Sequence, residues 1–432
     1  MFEVSTSISS VSTKIRFSQS RCPRVLQRPV EGWVLTGLVT IGLMGCAPVT
    51  PVIDPPTVPS TASSAPVLSS TPEPTRALPT ETETQVVATP TPTAVARLVG
   101  RAFPAMAYDA QSKHVILFGG LKSWYAPMSD TWSLDPLNGA WTPRHPAQSP
   151  TGLGIMAYDD ALDRILLYVG SGADPASSGN LEQVAPLAET WAYDFEEDTW
   201  ANLQAADTPR GLLTAAMAYD AESDKIILFG GAATTLGGPQ AVPMSADTWV
   251  YDGRSNAWTR MDPALTPPAR SLHAMTYDAG ADRVILFGGY PGEFTKPFSG
   301  DLAGGLSLND TWTYDFNANT WAEIKPAASP AARSCSSMVY DSVSERSILV
   351  GGSDGLDCSG SLRDAWAFEA ASSTWTDLGS APQLTFQGMA FAEEANEIVA
   401  YVGGSAWIYF SPAYWIFDPE IREWKDGFKT SP

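Results

Sequence analysis

The sequence has 432 residues and a formal charge of −21, with 47 acidic against 26 basic residues. A surface this acidic repels phosphate backbones, so the charge argues against a nucleic-acid partner. Residues 1–46 hold five basic and two acidic residues, which leaves 21 basic against 45 acidic residues in the rest of the chain. After residue 46 no stretch is apolar for long enough to span a bilayer.

The first 46 residues have the pattern of an export signal. A basic region ends near Arg28, an apolar stretch of twelve residues covers 33–44, and the tetrapeptide Leu-Met-Gly-Cys at 43–46 closes it. This apolar stretch suits a signal-peptide core and is too short for a spanning helix. The tetrapeptide resembles the lipobox of bacterial lipoproteins, which implies lipidation of Cys46, a membrane anchor and an extracytoplasmic location. The alternative is an ordinary secretory signal with an incidental cysteine.

Residues 47–98 are rich in Pro, Thr and Ser. A segment with so few large apolar side chains cannot offset the entropy lost on ordering. We therefore expect a disordered, partly extended tether that holds a folded domain away from a surface.

The rest of the chain is organised around a repeated pair of tryptophans nine residues apart. The six pairs are Trp132/Trp141, Trp191/Trp200, Trp249/Trp258, Trp312/Trp321, Trp366/Trp375 and Trp415/Trp424. A second phrase precedes each pair, with an aromatic residue at Tyr108, Tyr158, Tyr219, Tyr277, Tyr340 and Phe391. Successive copies of this aromatic are separated by 50 to 63 residues. A period near fifty residues indicates a propeller array and not a helical solenoid.

The third copy shows how one repeat predicts four antiparallel strands. Residues 215–219 form a short strand, and the apolar run Ile-Ile-Leu-Phe within 225–229 forms a strand suited to burial on both faces. Gly230 and Gly231 end it, where paired glycines permit positive φ and close backbone approach. Residues 247–251 and the segment from Ala257 onward form the third and fourth strands, joined by a turn that begins at Asp252.

This pattern resembles the kelch repeat, whose signature is a di-glycine followed by a Tyr and then a Trp at fixed spacing. Gly230-Gly231, Tyr251 and Trp258 match it here. The resemblance implies an all-β fold, a six-bladed kelch-type β-propeller with four antiparallel strands per blade, over residues 99–432. The approximate blades are 101–147, 148–207, 208–264, 265–328, 329–380 and 381–430. In this register each blade is one continuous segment, and a strand from residues 84–100 would contradict that closure.

We expect function on one face of the ring. The loops between the second and third strands vary widely in length, whereas the other turns are short, and variable loops on a rigid frame favour binding. Candidate aromatic contacts there are Trp124, Tyr125, Tyr290, Phe294, Phe298, Trp407, Tyr409 and Phe410. The alternative is that each aromatic packs its own loop.

Four arginines form a second candidate set. Arg101, Arg210, Arg270 and Arg333 come just before predicted innermost strands, where kelch proteins often direct basic side chains toward the channel. Together they would form a cationic ring that binds a carboxylate. The alternative is structural salt bridges to Asp or Glu.

Enzymatic signals are weak in this sequence. Galactose oxidase has a kelch ring, but its copper site needs a His/Tyr/Cys set, and no pair among His114, His145 and His273 has metal-ligand spacing. The sequence therefore predicts no metal and no cofactor. It favours a non-catalytic envelope protein that binds a carbohydrate or a protein partner. A carbohydrate-active enzyme, epimerase-like or oxidase-like, stays the alternative on fold analogy alone.

The last expectation concerns the cysteines left after the signal. Cys335 begins the fifth innermost strand, and Cys358 lies in the loop after that blade's Gly351-Gly352. Because the two strands are antiparallel, both thiols fall at the same edge of the blade. Export would supply an oxidising compartment, so we predict a disulfide between them.

Overall fold

The structure is a computed structural model, and it describes residues 98–123, 126–173, 184–233, 244–292, 306–355, 362–385, 387–402 and 413–430. Within these ranges the chain forms six sheets of four antiparallel strands, each built from consecutive strands in the order inner to outer. The fold is the all-β, six-bladed propeller that the repeat predicts. No described helix is long and apolar enough to cross a membrane.

The strands follow the predicted register closely. The innermost strands are Ala105–Asp109, Leu153–Asp159, Ala216–Asp220, Ala274–Asp278, Ser337–Asp341 and Gly388–Ala392. The second strands are His114–Phe118, Arg164–Ala173, Lys225–Phe229, Arg283–Gly289, Arg346–Val350 and Glu397–Val402. The third strands are Thr131–Asp135, Val184–Asp194, Thr248–Asp252, Leu308–Asp315, Asp364–Glu369 and Ala413–Asp418. The outermost strands are Ala140–Arg144, Thr199–Asn202, Ala257–Met261, Thr320–Ile324, Thr374–Ser380 and Glu423–Asp426.

Among the described residues, six short elements lie outside the blades' regular strands. Leu121–Ser123 pairs with Ala126–Pro127, and Leu212–Leu213 pairs with Ala232–Ala233. A 3₁₀ turn covers Glu393–Ala395, and a single helical turn covers Gly427–Thr430. The first and last sheets each use one continuous segment, and described residues 98–100 add no strand to either.

The turns owe their shape to aspartates at strand ends, as predicted for Asp252. Its carboxylate accepts the backbone N–H groups of Arg254 and Ser255 at 2.9 and 3.4 Å. Asn256 then adopts a left-handed φ of 53° before the outermost strand begins. Asn tolerates this conformation better than most residues, so the short turn is specified locally.

The di-glycines are required by close packing between blades. Gly230 and Gly231 have φ of 69° and 92°, and a Cβ on Gly230 would lie 2.6 Å from the carbonyl oxygen of Arg270 in the next blade. The Gly231 N–H donates to that same carbonyl at 2.9 Å. The second blade lacks the pair, and its second strand continues through Gly170, where a Cβ would meet the Leu212 carbonyl at 2.0 Å.

A repeated hydrogen bond joins four of the blades to the blade before. The second tryptophan of a pair donates its indole N–H to the threonine next to the first tryptophan of the preceding blade, as Trp258 does to Thr190 at 2.9 Å. Within the described residues four blades make this bond, through Trp200, Trp258, Trp321 and Trp375. The sequence signal is the Thr that precedes the inner Trp in the first four copies. Trp424 and Trp141 find no described partner for their indole N–H, because Ala365 and Tyr414 replace that threonine.

The tyrosine of the second phrase makes a comparable link on the opposite edge. The hydroxyl of Tyr277 accepts the Glu222 N–H at 3.4 Å, and the hydroxyl of Tyr108 accepts the Glu394 N–H at 3.4 Å. This second bond joins the first blade to the last. Lys113 reinforces the same junction with an ion pair to Glu394 at 2.7 Å, and both side chains are exposed enough for this pair to contribute little.

Candidate functional site

Three of the four candidate arginines are buried in structural ion pairs. Arg270 is fully buried and donates to both carboxylate oxygens of Asp310 at 2.7 Å. It also donates to the carbonyls of Gly288 and Pro268 at 2.8 and 3.0 Å. Its carboxylate partner therefore belongs to the same blade, which is the arrangement of a structural salt bridge.

The same arrangement recurs in two other blades. Arg101 pairs with Asp130 and Arg333 with Asp364, each at 2.7 and 2.8 Å, and both guanidinium groups are fully buried. Burial tends to raise the pKa of each aspartate. The hydrogen bonds and charge of its arginine outweigh that effect and hold the pKa below its ordinary value. We assign these arginines a structural role, which is the alternative that the sequence left open.

The fourth arginine, Arg210, is exposed. Arg210 lies seven positions before Met217, whereas Arg270 lies only five positions before Met275. The two extra residues lie within the short strand pair of Leu212–Leu213 with Ala232–Ala233. The aspartate of this blade, Asp247, instead binds the exposed Arg260 at 2.6 Å. The four arginines therefore do not form one cationic ring.

Of the candidate aromatics, the structure describes Tyr290. It is 1% exposed, and its backbone exchanges hydrogen bonds with Ser271 at 2.8 and 3.0 Å. Burial raises the pKa of its hydroxyl. Tyr290 thus packs within its own blade, as the alternative interpretation has it. The other aromatic candidates lie outside the described residues: Trp124, Tyr125, Phe294, Phe298, Trp407, Tyr409 and Phe410.

The cysteine predictions also fall partly outside the described residues. Cys335 is buried two residues before the fifth innermost strand, which begins at Ser337 and not at Cys335 as predicted. Its predicted partner Cys358 and the predicted lipidation site Cys46 are not among the described residues. The disulfide and the lipid anchor stay predictions.

At the centre of the ring the channel is lined by the beginnings of all six innermost strands, which surround a cavity of about 210 Å³. These strand beginnings lie beside the ends of the second strands, from which the variable loops leave. This part of the channel is therefore its mouth on the variable-loop face.

Six methionines occupy one register position around this channel mouth. They are Met106, Met156, Met217, Met275, Met338 and Met389. Each is 6–8% exposed and packs against the preceding blade, as Met275 does against Phe229. Met106 packs against Ala390 of the last blade and so helps to close the ring. Unbranched thioether side chains fill irregular gaps well, which suits a position shared by six unequal blades.

Three residues before the methionine, the backbone adopts a left-handed conformation. Phe103, Thr214, Leu272 and Cys335 have φ between 53° and 59°. Leu272 donates its backbone N–H to Thr214 O, and Cys335 donates to Leu272 O, each at 2.9 Å. The unusual φ is thus associated with backbone bonds that pass from blade to blade around the mouth.

Two residues before the methionine, the six blades divide into two halves. Blades 1 to 3 carry Pro104, Gly154 and Ala215, whereas blades 4 to 6 carry His273, Ser336 and Gln387. Every one of these residues lines the channel mouth, and no Asp, Glu, Lys or Arg lines it among the described residues. The binding candidates chosen from sequence are charged or aromatic, so they miss this polar half. Aligning the six copies on their methionines is the signal that would reveal it.

The buried His273 is neutral at ordinary pH. Burial, aided by the nearby positive charge of Arg270, lowers its pKa to about 3, and Asp310 opposes this only in part. Its ring lies 5.6 Å from that of Phe229, at an interplanar angle of 77°.

A cluster of carboxylates lies at the opposite edge of the ring. Asp220, Glu222 and Asp282 each place one carboxylate oxygen within 4.8 Å of the others. Asp220 accepts the Ser223 N–H at 3.0 Å, and Asp282 accepts the Tyr277 hydroxyl at 3.0 Å. These hydrogen bonds show that the carboxylates of Asp220 and Asp282 are structural parts of their turns.

Comparison with known proteins agrees with this architecture. The family model described as the KLHDC2/KLHL20/DRC7 kelch-repeats domain matches residues 78–289 and 215–431. The chain belongs to this kelch-repeat family. A curated relative, Mei4-dependent protein 6 of Schizosaccharomyces pombe, is 26% identical over 171 residues. That match covers 36% of this chain and 23% of the relative, so the two share under a quarter of the relative's length. The kelch ring is in general a scaffold for protein interactions.

Proposed function

We propose that this protein is a non-catalytic binding scaffold of the cell envelope whose kelch ring binds a protein partner through the variable-loop face. The observation that supports it best is the channel mouth on that face, whose described lining is uncharged and lies beside the strand ends from which the variable loops leave. Interfaces of this kind place aromatic or apolar groups centrally and depend on shape more than on net charge.

The fold also favours the variable-loop face as the binding surface. Opposite the loops, the turns are short and are occupied by their own hydrogen bonds, as at Asp252 and Asp220. The loops, by contrast, differ in length from blade to blade, which gives the ring an asymmetric surface on a rigid frame. A carbohydrate is the other partner class for that surface.

The enzymatic alternative has less support. A carbohydrate-active enzyme of the epimerase or oxidase kind would use an acid pair or a metal at the channel mouth, and the described lining contains no carboxylate. The carboxylates that do cluster, Asp220, Glu222 and Asp282, lie at the opposite edge within turns. We therefore prefer the non-catalytic binding function over the enzymatic alternative.

Two exposed leucines provide a direct test of the binding face. Leu306 is 82% exposed on the variable-loop side, and Leu137 is 68% exposed in a turn on the opposite side. A photoreactive diazirine residue placed at either position in the full chain would cross-link bound neighbours. We expect a discrete protein adduct from position 306 and none from 137. Equal adducts from both positions, or none from either, would contradict a partner on the variable-loop face.

The location is proposed from the N-terminal motif. Lipidation of Cys46 would anchor the protein, and the tether over 47–98 would hold the ring away from the membrane. Cys46→Ser removes the acceptor thiol, so we expect the variant to move from the membrane fraction to the soluble extracytoplasmic fraction. Unchanged membrane association would refute the anchor.

A further inference from the structure

A small apolar pocket adjoins the channel mouth at the junction of blades 2 and 3. Its volume is about 50 Å³, and four of its lining residues also line the mouth. Blade 2 and the segment that leads into blade 3 supply most of its walls. We call this cavity the side pocket, and its walls include Phe103, Leu153, Tyr168, Leu212, Leu213 and Thr214.

In blade 3 a leucine takes the place of the buried structural arginine. Arg270 stands five residues before the channel methionine of its blade, and in blade 3 Leu212 holds this position. The backbone shows the same correspondence, because a Cβ on Gly230 would meet the Arg270 carbonyl and a Cβ on Gly170 would meet the Leu212 carbonyl. Blade 3 therefore presents an aliphatic side chain where three other blades have a guanidinium group.

Arg210, two residues earlier in the chain, is fixed beside the side pocket. The hydroxyl of Tyr168 donates to the Pro209 carbonyl at 3.0 Å and accepts the Leu212 N–H at 2.9 Å. The chain on both sides of Arg210 is thus bonded to one side chain, which is itself 1% exposed. Gly211 completes the turn with a φ of 42°. The backbone of Arg210 therefore has a defined position next to the pocket, while its side chain is exposed.

The positive charge of Arg210 is not compensated within the described part of the chain. No described residue makes a hydrogen bond or an ion pair with its side chain. Asp247, the carboxylate that would match it in blade 3, binds Arg260 instead. A guanidinium group is a planar donor that binds carboxylates well, through two parallel hydrogen bonds. Arg210 therefore offers a binding position to an acidic group from outside the chain.

The side pocket determines what can lie next to that acidic group. At about 30 Å³ per water molecule, its volume corresponds to roughly two waters, which is the size of the branched tip of a Val or Leu side chain. Its described lining contains no charged residue, so transfer of an apolar group into it is favourable. An aromatic ring is too large for this volume.

We propose that the side pocket and Arg210 form a docking site for an acidic segment of the protein partner. A Val or Leu side chain of that segment enters the pocket, and a neighbouring Asp or Glu pairs with Arg210. Two observations support this partner chemistry: the uncompensated charge of Arg210, and the position of the pocket beside the channel mouth on the variable-loop face. The inference rests on the proposed function, since it names what the partner presents to that face.

The probe for this site is 3-methylbutanoate, which carries a branched tip and a carboxylate. In leucine-methyl-labelled full-length protein we expect it to shift the signals of Leu212 and Leu213 saturably. Acetate lacks the branched tip and should bind at least tenfold more weakly. The neutral 3-methylbutanamide should bind about threefold more weakly, the range of an exposed ion pair. Leu384 stands at the same repeat position in blade 6 and is fully buried, so its signal is the internal control. No response at Leu212 and Leu213, or equal affinity for the amide, would overturn the site.

Arg210→Ala tests the guanidinium group, and Lys122→Ala is the matched control. Lys122 is also exposed at the variable-loop edge, and its removal changes the net charge equally. Both variants should keep the wild-type melting temperature. Arg210→Ala should bind the acid and the amide equally, and cross-linking of the partner from position 306 should fall at least threefold, whereas Lys122→Ala should change neither result.

The two experiments separate failure of the docking site from failure of the proposed function. Cross-linking of Arg210→Ala at the wild-type level would reject the docking site and leave the proposed function intact. A selective response to 3-methylbutanoate without any partner adduct would instead reject the function, and it would identify the pocket as a site for a free branched carboxylate.

Discussion

Replacing Trp258 with alanine should destabilise the ring by about 3–5 kcal/mol, the cost of a large-to-small change in a well-packed core. Trp258 is 1% exposed and packs against Tyr251 and Tyr168 at ring distances of 5.2 and 5.9 Å. It also supplies the indole bond to Thr190. The variant loses a packing group and a link to the preceding blade together. Thermal unfolding followed by circular dichroism would measure the effect as a fall in Tm.

Trp424 provides the matched control for this prediction. It occupies the same repeat position in the last blade, but it is partly exposed and its indole N–H has no partner among the described residues. Trp424→Ala should therefore lower the Tm by clearly less than Trp258→Ala. Similar losses from the two variants would show that burial and the bond to threonine do not govern the contribution of this tryptophan.

The fold was predictable because the sequence contains six copies of the same repeat. The nine-residue Trp spacing places two side chains on adjacent strands of a tight hairpin, and the structure pairs Tyr251 directly with Trp258 as that geometry requires. Asp252 and Gly230 were likewise interpretable alone, since a turn-starting carboxylate and a positive-φ glycine act locally. Local chemistry repeated at a fixed period is the kind of signal that a sequence carries best.

The site was less predictable because it depends on what each side chain meets in space. Position in the repeat correctly placed Arg270 before an innermost strand, but its contact with Asp310 joins residues forty positions apart. His273 was considered only as a metal ligand, and rejected as one, because sequence shows neither its burial nor the absence of a described partner. Orphaned polar atoms become visible only when every neighbouring blade is in place.

Removing the carboxylate from a buried ion pair should have an effect as large as that of removing Trp258. Asp310→Ala leaves the guanidinium of Arg270 fully buried and charged, because arginine does not lose its proton in proteins. Breaking a buried pair in this way costs about 3–5 kcal/mol. The substitution also removes the acceptor of the Trp312 indole N–H, which lies 2.7 Å from Asp310. Equilibrium unfolding in urea would give the loss directly.

Asp247→Ala is the matched control, since Asp247 begins the same Asp-Thr-Trp phrase in blade 3. Its partner Arg260 is 58% exposed, so the charge left behind stays in water. We expect a loss of less than about 1 kcal/mol, as for other exposed ion pairs. Equal losses at the two positions would mean that the burial of Arg270 does not set the strength of its pair.

The pH dependence of stability is a second test of the Arg270–Asp310 ion pair. Burial raises the pKa of Asp310, but the hydrogen bonds and positive charge of Arg270 more than offset this, so its folded pKa lies below its ordinary value. A carboxyl group with a lowered folded pKa contributes stability above its unfolded pKa of about 3.9, and that contribution is lost as the pH falls through the folded value. Wild-type protein should therefore lose stability below about pH 4 more steeply than Asp310→Ala does. If the two proteins lose stability in parallel over that range, the Arg270 pair is not among the groups that stabilise the ring against acid.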